Sequence, residues 1–221
     1  MLKSAPLPNW SNEEAIYTED RLLIGGHQVM MAWELPMMYK MVEMLRAHTS
    51  GDVLEIGFGM GISANKIQEM GFKSHTILEP HPQVYEKALA WKAERPDSDI
   101  TIIQDYWQNL EDSLKQQYDG IFFDPYAPTR EIAEREKFHF FRVAFEKWLK
   151  PNGATTLYNL NPHFEITYQD EIFTRFSKTI LEKLSVDPTP DCDYTVIDMV
   201  PSEDKSQPSN YQYTLCILLI K

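Results

Sequence analysis

Cysteine is scarce in this chain, and long apolar runs are missing from it. Cys192 and Cys216 are the two cysteines among 221 residues, too few for a disulfide framework and without metal-ligand spacing. The sequence has no run of about 18 apolar residues, and its polar N-terminus lacks the apolar core of a signal peptide. We therefore expect no membrane partner and a reducing, cytoplasmic setting.

Positive charge is also in short supply. The chain has 21 Lys and Arg against 33 Asp and Glu, a formal net charge of −12. Nucleic acids and anionic membranes both attract concentrated positive charge, so we expect neither as a partner. A cationic small substrate remains possible, although an acidic surface also serves simply to keep a protein dissolved.

Glycine is rare, and its placement is uneven. Three of the nine glycines, Gly57, Gly59 and Gly61, fall within five residues. The segment before them reads as a buried strand and the segment after them as a helix, so the cluster is a loop that turns sharply or lies against a ligand. A glycine-rich turn that only packs a helix on a strand is the plainer alternative.

Strands and helices alternate along the rest of the chain, which predicts an α/β fold with a mainly parallel sheet and helices on both faces. Residues 29–45 read as a helix interrupted by Pro36, and the last two strands should form an antiparallel hairpin at one edge. The length fits a single domain over residues 21–221, preceded by a polar arm over residues 1–20.

Ligands of such sheets bind beyond the carboxyl ends of the strands. Five places follow a strand here and should converge: residues 57–61, Glu79, residues 105–107, Asp124 and residues 159–161. In the stretch E-x-G-x-G-x-G, Glu55 to Gly61, followed by Glu79, we recognise the pattern by which many methyltransferases hold S-adenosyl-L-methionine. Ile62 stands where the dinucleotide fingerprint requires glycine, and the chain has no phosphate loop.

The tetrapeptide that begins at Asp124 is D-P-Y-A, and two interpretations of it compete. Adenine-specific amine methyltransferases often carry [DNS]-P-P-[YFW] at this place, but the second proline is missing here. An aspartate before proline is also common as the start of a turn.

Several motifs together make the chain resemble guanidinoacetate N-methyltransferases. They are V-M-x-x-W-E-x-P-x-M from Val29, V-L-E-I-G-F-G-M from Val53, D-G-I-x-x-D-x-Y from Asp119, L-K-P-x-G from Leu149 and Y-N-L from Tyr158. The resemblance covers about residues 20 to 220. It implies a Rossmann-like seven-stranded sheet, S-adenosyl-L-methionine as cofactor, a small guanidino substrate and a creatine-like product, as in creatine biosynthesis.

The resemblance also implies roles for individual residues. Glu34 and Asp124 would hold the guanidinium, and the backbone at Leu160 and Asn161 would meet the carboxylate of the substrate. The cofactor would be lined by Met30, Met38, Gly57, Phe58, Gly59, Met60, Gly61, Ile62, Glu79, Pro80, His81, Tyr106, Trp107 and Asp124. The family has Leu-Thr in place of Leu160-Asn161, and Cys-Asn in place of Pro80-His81.

The first of these departures touches substrate recognition, so alternatives stay open. The acceptor could be arginine, free or within a protein, and a cofactor-binding protein without catalysis is a further alternative. A monomer and a homodimer are both compatible with the sequence. The histidines show no metal spacing, and we expect no metal role for them.

Two carboxylates suit the chemistry of a guanidinium. This cation is planar and always charged in water, and its N–H groups match a carboxylate in a fork. We expect Asp124 to accept the proton that leaves as the methyl group is transferred, and Glu34 to stay ionised and stabilise the charge.

Overall fold

The computed structural model describes residues 10–115, 117–126, 130–160, 191–198 and 213–221. Its main sheet has seven strands in the order β6-β5-β4-β7-β8-β10-β9. The strands are β4 (Asp52–Ile56), β5 (Ser74–Leu78), β6 (Ile100–Ile103), β7 (Tyr118–Phe123), β8 (Leu149–Leu160), β9 (Asp191–Asp198) and β10 (Tyr213–Ile220). β4 to β8 pair in parallel, and β10 pairs antiparallel with both β8 and β9. The prediction of an α/β fold with a mostly parallel sheet is confirmed.

A small antiparallel sheet precedes the main one. It consists of β1 (Ala15–Tyr17), β2 (Arg21–Ile24) and β3 (His27–Met31), with β2 in the middle. Because β1 pairs with β2, residues of the predicted arm join residues of the predicted domain in one sheet. The boundary at residue 20 stays a prediction.

The described residues form four α-helices, of which the first leads from the small sheet into β4 and the other three connect strands of the main sheet. They are α1 (Leu35–His48), α2 (Ile62–Met70), α3 (Pro82–Ala93) and α4 (Arg130–Val143). The helix predicted over residues 29–45 is wrong in its first part, because residues up to Met31 belong to β3. Pro36 lies in the first turn of α1, where its missing N–H costs no hydrogen bond, so it begins the helix instead of interrupting it.

Side chains on the two faces of the sheet belong to two separate cores. Val53 and Phe122 pack with α1, α2 and α3, while Leu54 and Phe123 pack with α4 and with Trp107. Adjacent residues of a strand point to opposite faces, so the apolar runs of β4 and β7 fill both cores at once. The two cores fix the sheet from both faces, and the carboxyl ends of β4, β5, β6 and β7 lie along one of its edges.

Candidate active site

A cavity lies at the carboxyl edge of the parallel strands. Its wall includes the loop after β4 and the residues that follow β5, β6 and β7, and β2 and β3 cover one side. Predicted site residues in that wall are Met30, Gly57, Gly59, Glu79, Pro80, Tyr106, Trp107 and Asp124. The sheet topology therefore brings together side chains that are far apart in sequence.

The glycine loop after β4 is closely packed at two positions. Gly57 has φ 89°, and a Cβ atom there would lie 3.3 Å from the carbonyl oxygen of Asp124. Gly59 has φ 55°, and a Cβ atom would lie 2.7 Å from the thioether of Met30. Both values of φ favour glycine, so the loop backbone can form the floor of the cavity.

Glu79, directly after β5, is a buried carboxylate that the glycine loop helps to hold. Its side chain accepts the backbone N–H of Phe58 at 2.9 Å and that of His81 at 2.8 Å, and it is 3% exposed. Burial raises its pKa to about 7, against these hydrogen bonds, which lower it. A carboxylate has about four lone-pair positions, so acceptor capacity remains for hydroxyl groups of a ligand, as a nucleoside ribose requires.

The segment before β2 closes over the glycine loop. The hydroxyl of Tyr17 donates to the carbonyl oxygen of Gly59 at 3.0 Å. The Trp10 ring, in the cavity wall, stacks on Tyr126 with 5.8 Å between ring centroids. The backbone N–H of Ala15 donates to the side chain of Gln83 on α3 at 2.6 Å. The cavity is thereby enclosed on the side that would otherwise face water.

Glu34 ends the short 3-10 turn (Ala32–Glu34) that leads from β3 into α1. Its Oε2 accepts the backbone N–H of Met31 at 2.8 Å, so one carboxylate oxygen is fixed by the turn itself. Burial raises its pKa to about 7, and the Met31 hydrogen bond only partly offsets this. In the ligand-free site this carboxyl group is therefore held without an opposite charge that would lower its pKa.

Asp124 follows β7 and lies in the wall of the cavity. Burial raises its pKa well above the ordinary range, and the negative charge of Glu34 raises it further. The hydroxyl of Tyr158 donates a hydrogen bond to it, and Lys137 lies close enough to lower its pKa somewhat. The effect of Glu34 on Asp124 indicates that β3–α1 and β7 bring the two carboxylates near each other, with Asp124 in the cavity wall and Glu34 outside the set of residues that line it.

The remaining predicted residues lie elsewhere around the site. Met38 is 1% exposed in the core under the sheet, and His81 is fully buried, with its Nε2 at 2.9 Å from the carbonyl oxygen of Glu13. Phe58, Met60, Gly61 and Ile62 belong to the glycine loop and the start of α2. Leu160 ends β8, and Asn161 lies outside the described residues. The functional roles of all these residues stay predictions.

Sequence reasoning gave no role to several residues of the site. Trp10 and Tyr126 line the cavity, as do Gln108 and Glu136, and Tyr158 bonds to Asp124. Tyr158 is the first residue of the Y-N-L motif, which was the one available sequence signal for it. Glu136 and Gln108 carry no motif, and only the packing of α4 against the turn after β6 brings them together.

The described residues show neither a metal-binding cluster nor a membrane-spanning helix. In the part of the chain that the structure describes, no three His, Cys, Asp or Glu side chains are grouped to hold a metal ion. None of the described helices has the length and apolar character needed to cross a membrane.

The chain is similar to known proteins both in sequence and in structure. The family model described as guanidinoacetate N-methyltransferase matches residues 5–217. The protein arginine N-methyltransferase 2 of Aspergillus oryzae is 37% identical over 119 residues, covering 51% of this chain and 28% of that protein. The chain thus spans about a third of the length of the curated relatives it matches.

Solved structures share the fold at low sequence identity. A spermidine synthase in complex with a transition state analogue superposes with a TM-score of 0.64 at 16% identity, covering 94% of this chain and 73% of that one. The N-methyltransferase NodS from Bradyrhizobium japonicum, in complex with S-adenosyl-L-homocysteine, has a TM-score of 0.56 at 14% identity, covering 86% and 87%.

Proposed function

Because the chain belongs to the guanidinoacetate N-methyltransferase family, we propose that it transfers a methyl group to a guanidino nitrogen of a small molecule. Its cofactor is S-adenosyl-L-methionine, as the sequence pattern predicted. Glu79, Gly57 and Gly59 would hold that cofactor, since a buried carboxylate and glycines that let the backbone approach a ligand suit a nucleoside joined to an amino acid.

The observation that carries this proposal is the pairing of Glu34 with Asp124. Each carboxyl group has a raised pKa caused first by burial, so neither is stabilised as an anion in the ligand-free site. None of the described residues that line the cavity is Lys or Arg. A guanidinium would add positive charge beside both carboxylates, together with N–H donors for each of them.

The same arrangement supports a way to remove the proton. When bound, the cofactor supplies an electrophilic methyl group, and its sulfur keeps the electron pair of the broken bond. As the N–C bond forms, the nitrogen becomes far more acidic, and Asp124 takes the proton that leaves. Glu34, whose Oε2 is held by the Met31 N–H, stays ionised beside the remaining positive charge.

A turnover assay tests the proposal with matched variants. Asp124→Asn and Glu34→Gln should each lower methyl transfer to guanidinoacetate by about 100-fold or more, the size expected when a proton acceptor or charge stabiliser is lost. Binding of S-adenosyl-L-homocysteine should persist in both. Glu94→Gln, a change at a side chain 76% exposed on the surface, is the control and should keep normal turnover. Near-normal turnover in either site variant would contradict the proposal.

Arginine is the second candidate acceptor. The similarity to protein arginine N-methyltransferase 2 favours it, and so does the departure from the family at Leu160-Asn161. Parallel assays with guanidinoacetate, free arginine and an arginine-containing peptide separate these substrates. Turnover of the peptide alone would replace the small-molecule proposal, and cofactor binding with no turnover of any guanidino compound would favour a catalytically silent protein.

A further inference from the structure

A buried polar cluster lies behind the glycine loop, and it has no part in the roles assigned above. Ser63 on α2 donates its hydroxyl to Oε1 of Glu55 on β4. The other oxygen of Glu55, Oε2, lies 2.9 Å from Nε2 of His75 on β5. All three side chains are at most 1% exposed, and none of them lines the cavity. The cluster therefore acts on a ligand in the cavity only through the residues around it.

Gln68, further along α2, determines the tautomer of His75. Its amide nitrogen Nε2 lies 3.0 Å from Nδ1 of the imidazole. An amide NH₂ group only donates, so Nδ1 accepts, and the ring carries its proton on Nε2, facing Glu55. Glu55 thereby receives one hydrogen bond at each oxygen, which meets the need of a buried carboxylate for partners.

The Ser63 hydrogen bond connects the two ends of the glycine loop. Glu55 precedes Gly57 by two residues, and Ser63 follows Gly61 by two. α2 begins at Ile62 without a capping side chain, and the hydroxyl of Ser63 ties its first turn to β4. The cluster thus fixes the separation between the ends of the loop, whose backbone borders the cavity.

His75 supports the loop by a second route. Its ring meets Trp91 on α3 edge to face, with 6.2 Å between ring centroids, and Trp91 packs on Phe58 in the same way at 5.5 Å. The backbone N–H of Phe58 is the group that donates to Glu79. A change at His75 can therefore reach the carboxylate that is proposed to hold the cofactor.

Stability alone does not account for such a cluster. Apolar side chains of similar volume often stabilise a protein as well as a buried ionic network or better, because they carry no desolvation cost. A fully bonded network instead selects one arrangement of the elements that it joins. Here those elements are β4, β5 and α2, which meet at the glycine loop.

We propose that Glu55, Ser63 and His75 form a clamp that positions the glycine loop for S-adenosyl-L-methionine and so sets the affinity for this cofactor. The three are positioning residues, since none of them lines the cavity. The inference rests on the proposed placement of the cofactor against this loop and not on the identity of the methyl acceptor.

Calorimetric titration of the full chain with S-adenosyl-L-homocysteine tests the clamp without any turnover. Ser63→Ala removes the hydrogen bond between the ends of the loop and leaves Glu55 in place. It should weaken binding by about 2- to 30-fold, the range for residues that act on a ligand through a packed network. Ser113→Ala makes the same change at an exposed position and should bind as the unchanged chain does.

Glu55→Gln separates the hydrogen bonds from the charge. A glutamine there still accepts from Ser63, and its NH₂ group donates to His75 once the ring proton moves to Nδ1 and the amide of Gln68 turns over. Affinity should therefore stay close to that of the unchanged chain. His75→Leu removes the second partner of Glu55, should weaken binding as Ser63→Ala does, and decides the matter if Ser63→Ala fails to fold.

Melting temperatures distinguish positioning from simple stabilisation. A lower melting temperature in Ser63→Ala, with an unchanged dissociation constant while the protein is folded, would overturn the inference. A larger loss of affinity in Glu55→Gln than in Ser63→Ala would also overturn it, because the charge and not the hydrogen bond would then set the affinity. Failure of the guanidino proposal would leave these dissociation constants untouched, because no acceptor is present.

Discussion

Binding of a guanidinium should expel protons from this site, and the amount can be worked out from Glu34. Its pKa of about 7 in the ligand-free site means that roughly half of these carboxyls are protonated at pH 7, about 90% at pH 6 and about 3% at pH 8.5. A bound guanidinium favours the anion and returns the pKa to its ordinary range or below. Glu34 alone should then release about 0.5 proton at pH 7 and about 0.9 at pH 6.

The affinity should change with pH in the same sense. From this carboxyl alone, acceptor binding at pH 6 should be about tenfold weaker than at pH 8.5, because the proton must leave first. Asp124, whose pKa is also raised, adds to the effect in the same direction. Glu34→Gln should leave only the contribution of Asp124, made smaller because the charge of Glu34 no longer raises the pKa of Asp124.

Calorimetry measures both quantities. The best acceptor from the turnover assay is titrated into the protein saturated with S-adenosyl-L-homocysteine, in buffers of low and high ionisation enthalpy. The difference in heat gives the protons released. Release that is absent between pH 6 and 7, or proton uptake, would refute the assignment of Glu34 as a buried carboxylate facing the cation.

Three further predictions concern single residues. Gly59→Ala should weaken S-adenosyl-L-homocysteine binding and lower the stability, because the added Cβ would lie 2.7 Å from the Met30 thioether. Gly71→Ala, which is also at positive φ but in open space, is the control for backbone strain. Equal losses in the two variants would contradict the clash with Met30. Tyr158→Phe should lower kcat by about 10- to 100-fold, because a hydrogen bond to the Asp124 carboxylate is lost. Cofactor affinity should not change. A change in cofactor affinity with an unchanged kcat would contradict this prediction. The melting temperature of the ligand-free protein should fall as pH rises from 5 to 8, because the raised pKa of Glu79 gives the folded state a stability that is lost when this carboxyl ionises. In Glu79→Gln the melting temperature should depend less on pH. A melting temperature that rises with pH would contradict this prediction.

The elements that the sequence predicts well are those whose patterns are local. The strand before the glycine cluster and the helix after it are both present, as β4 and α2, because a buried apolar run, three glycines and a helical period follow one another directly. The helix prediction for the segment before α1 is wrong, and the reason is also physical. Val29 and Met30 are compatible with a helix, and only pairing with β2 makes them a strand.

The same distinction between local and long-range patterns applies to the residues of the site. Glu79 and Asp124 could be predicted, because any residue directly after a parallel strand reaches the carboxyl edge of the sheet. The stacking of Trp10 on Tyr126 could not, since it joins two loops that no motif relates. Likewise, the hydrogen bond between Gln108 and Glu136 depends on how α4 packs, which sequence spacing alone does not determine.

The raised pKa values of the buried carboxyl groups also affect how the binding of each ligand depends on pH. Glu34, Glu79 and Asp124 each resist ionisation when no cation is near, and burial is the first cause in all three. Two of them would face the guanidinium, while Glu79 would meet neutral hydroxyl groups. A cationic acceptor therefore gains from the anionic pair only after protons leave, whereas the ribose can bond to Glu79 in either protonation state. It follows that acceptor affinity should depend on pH much more steeply than cofactor affinity does.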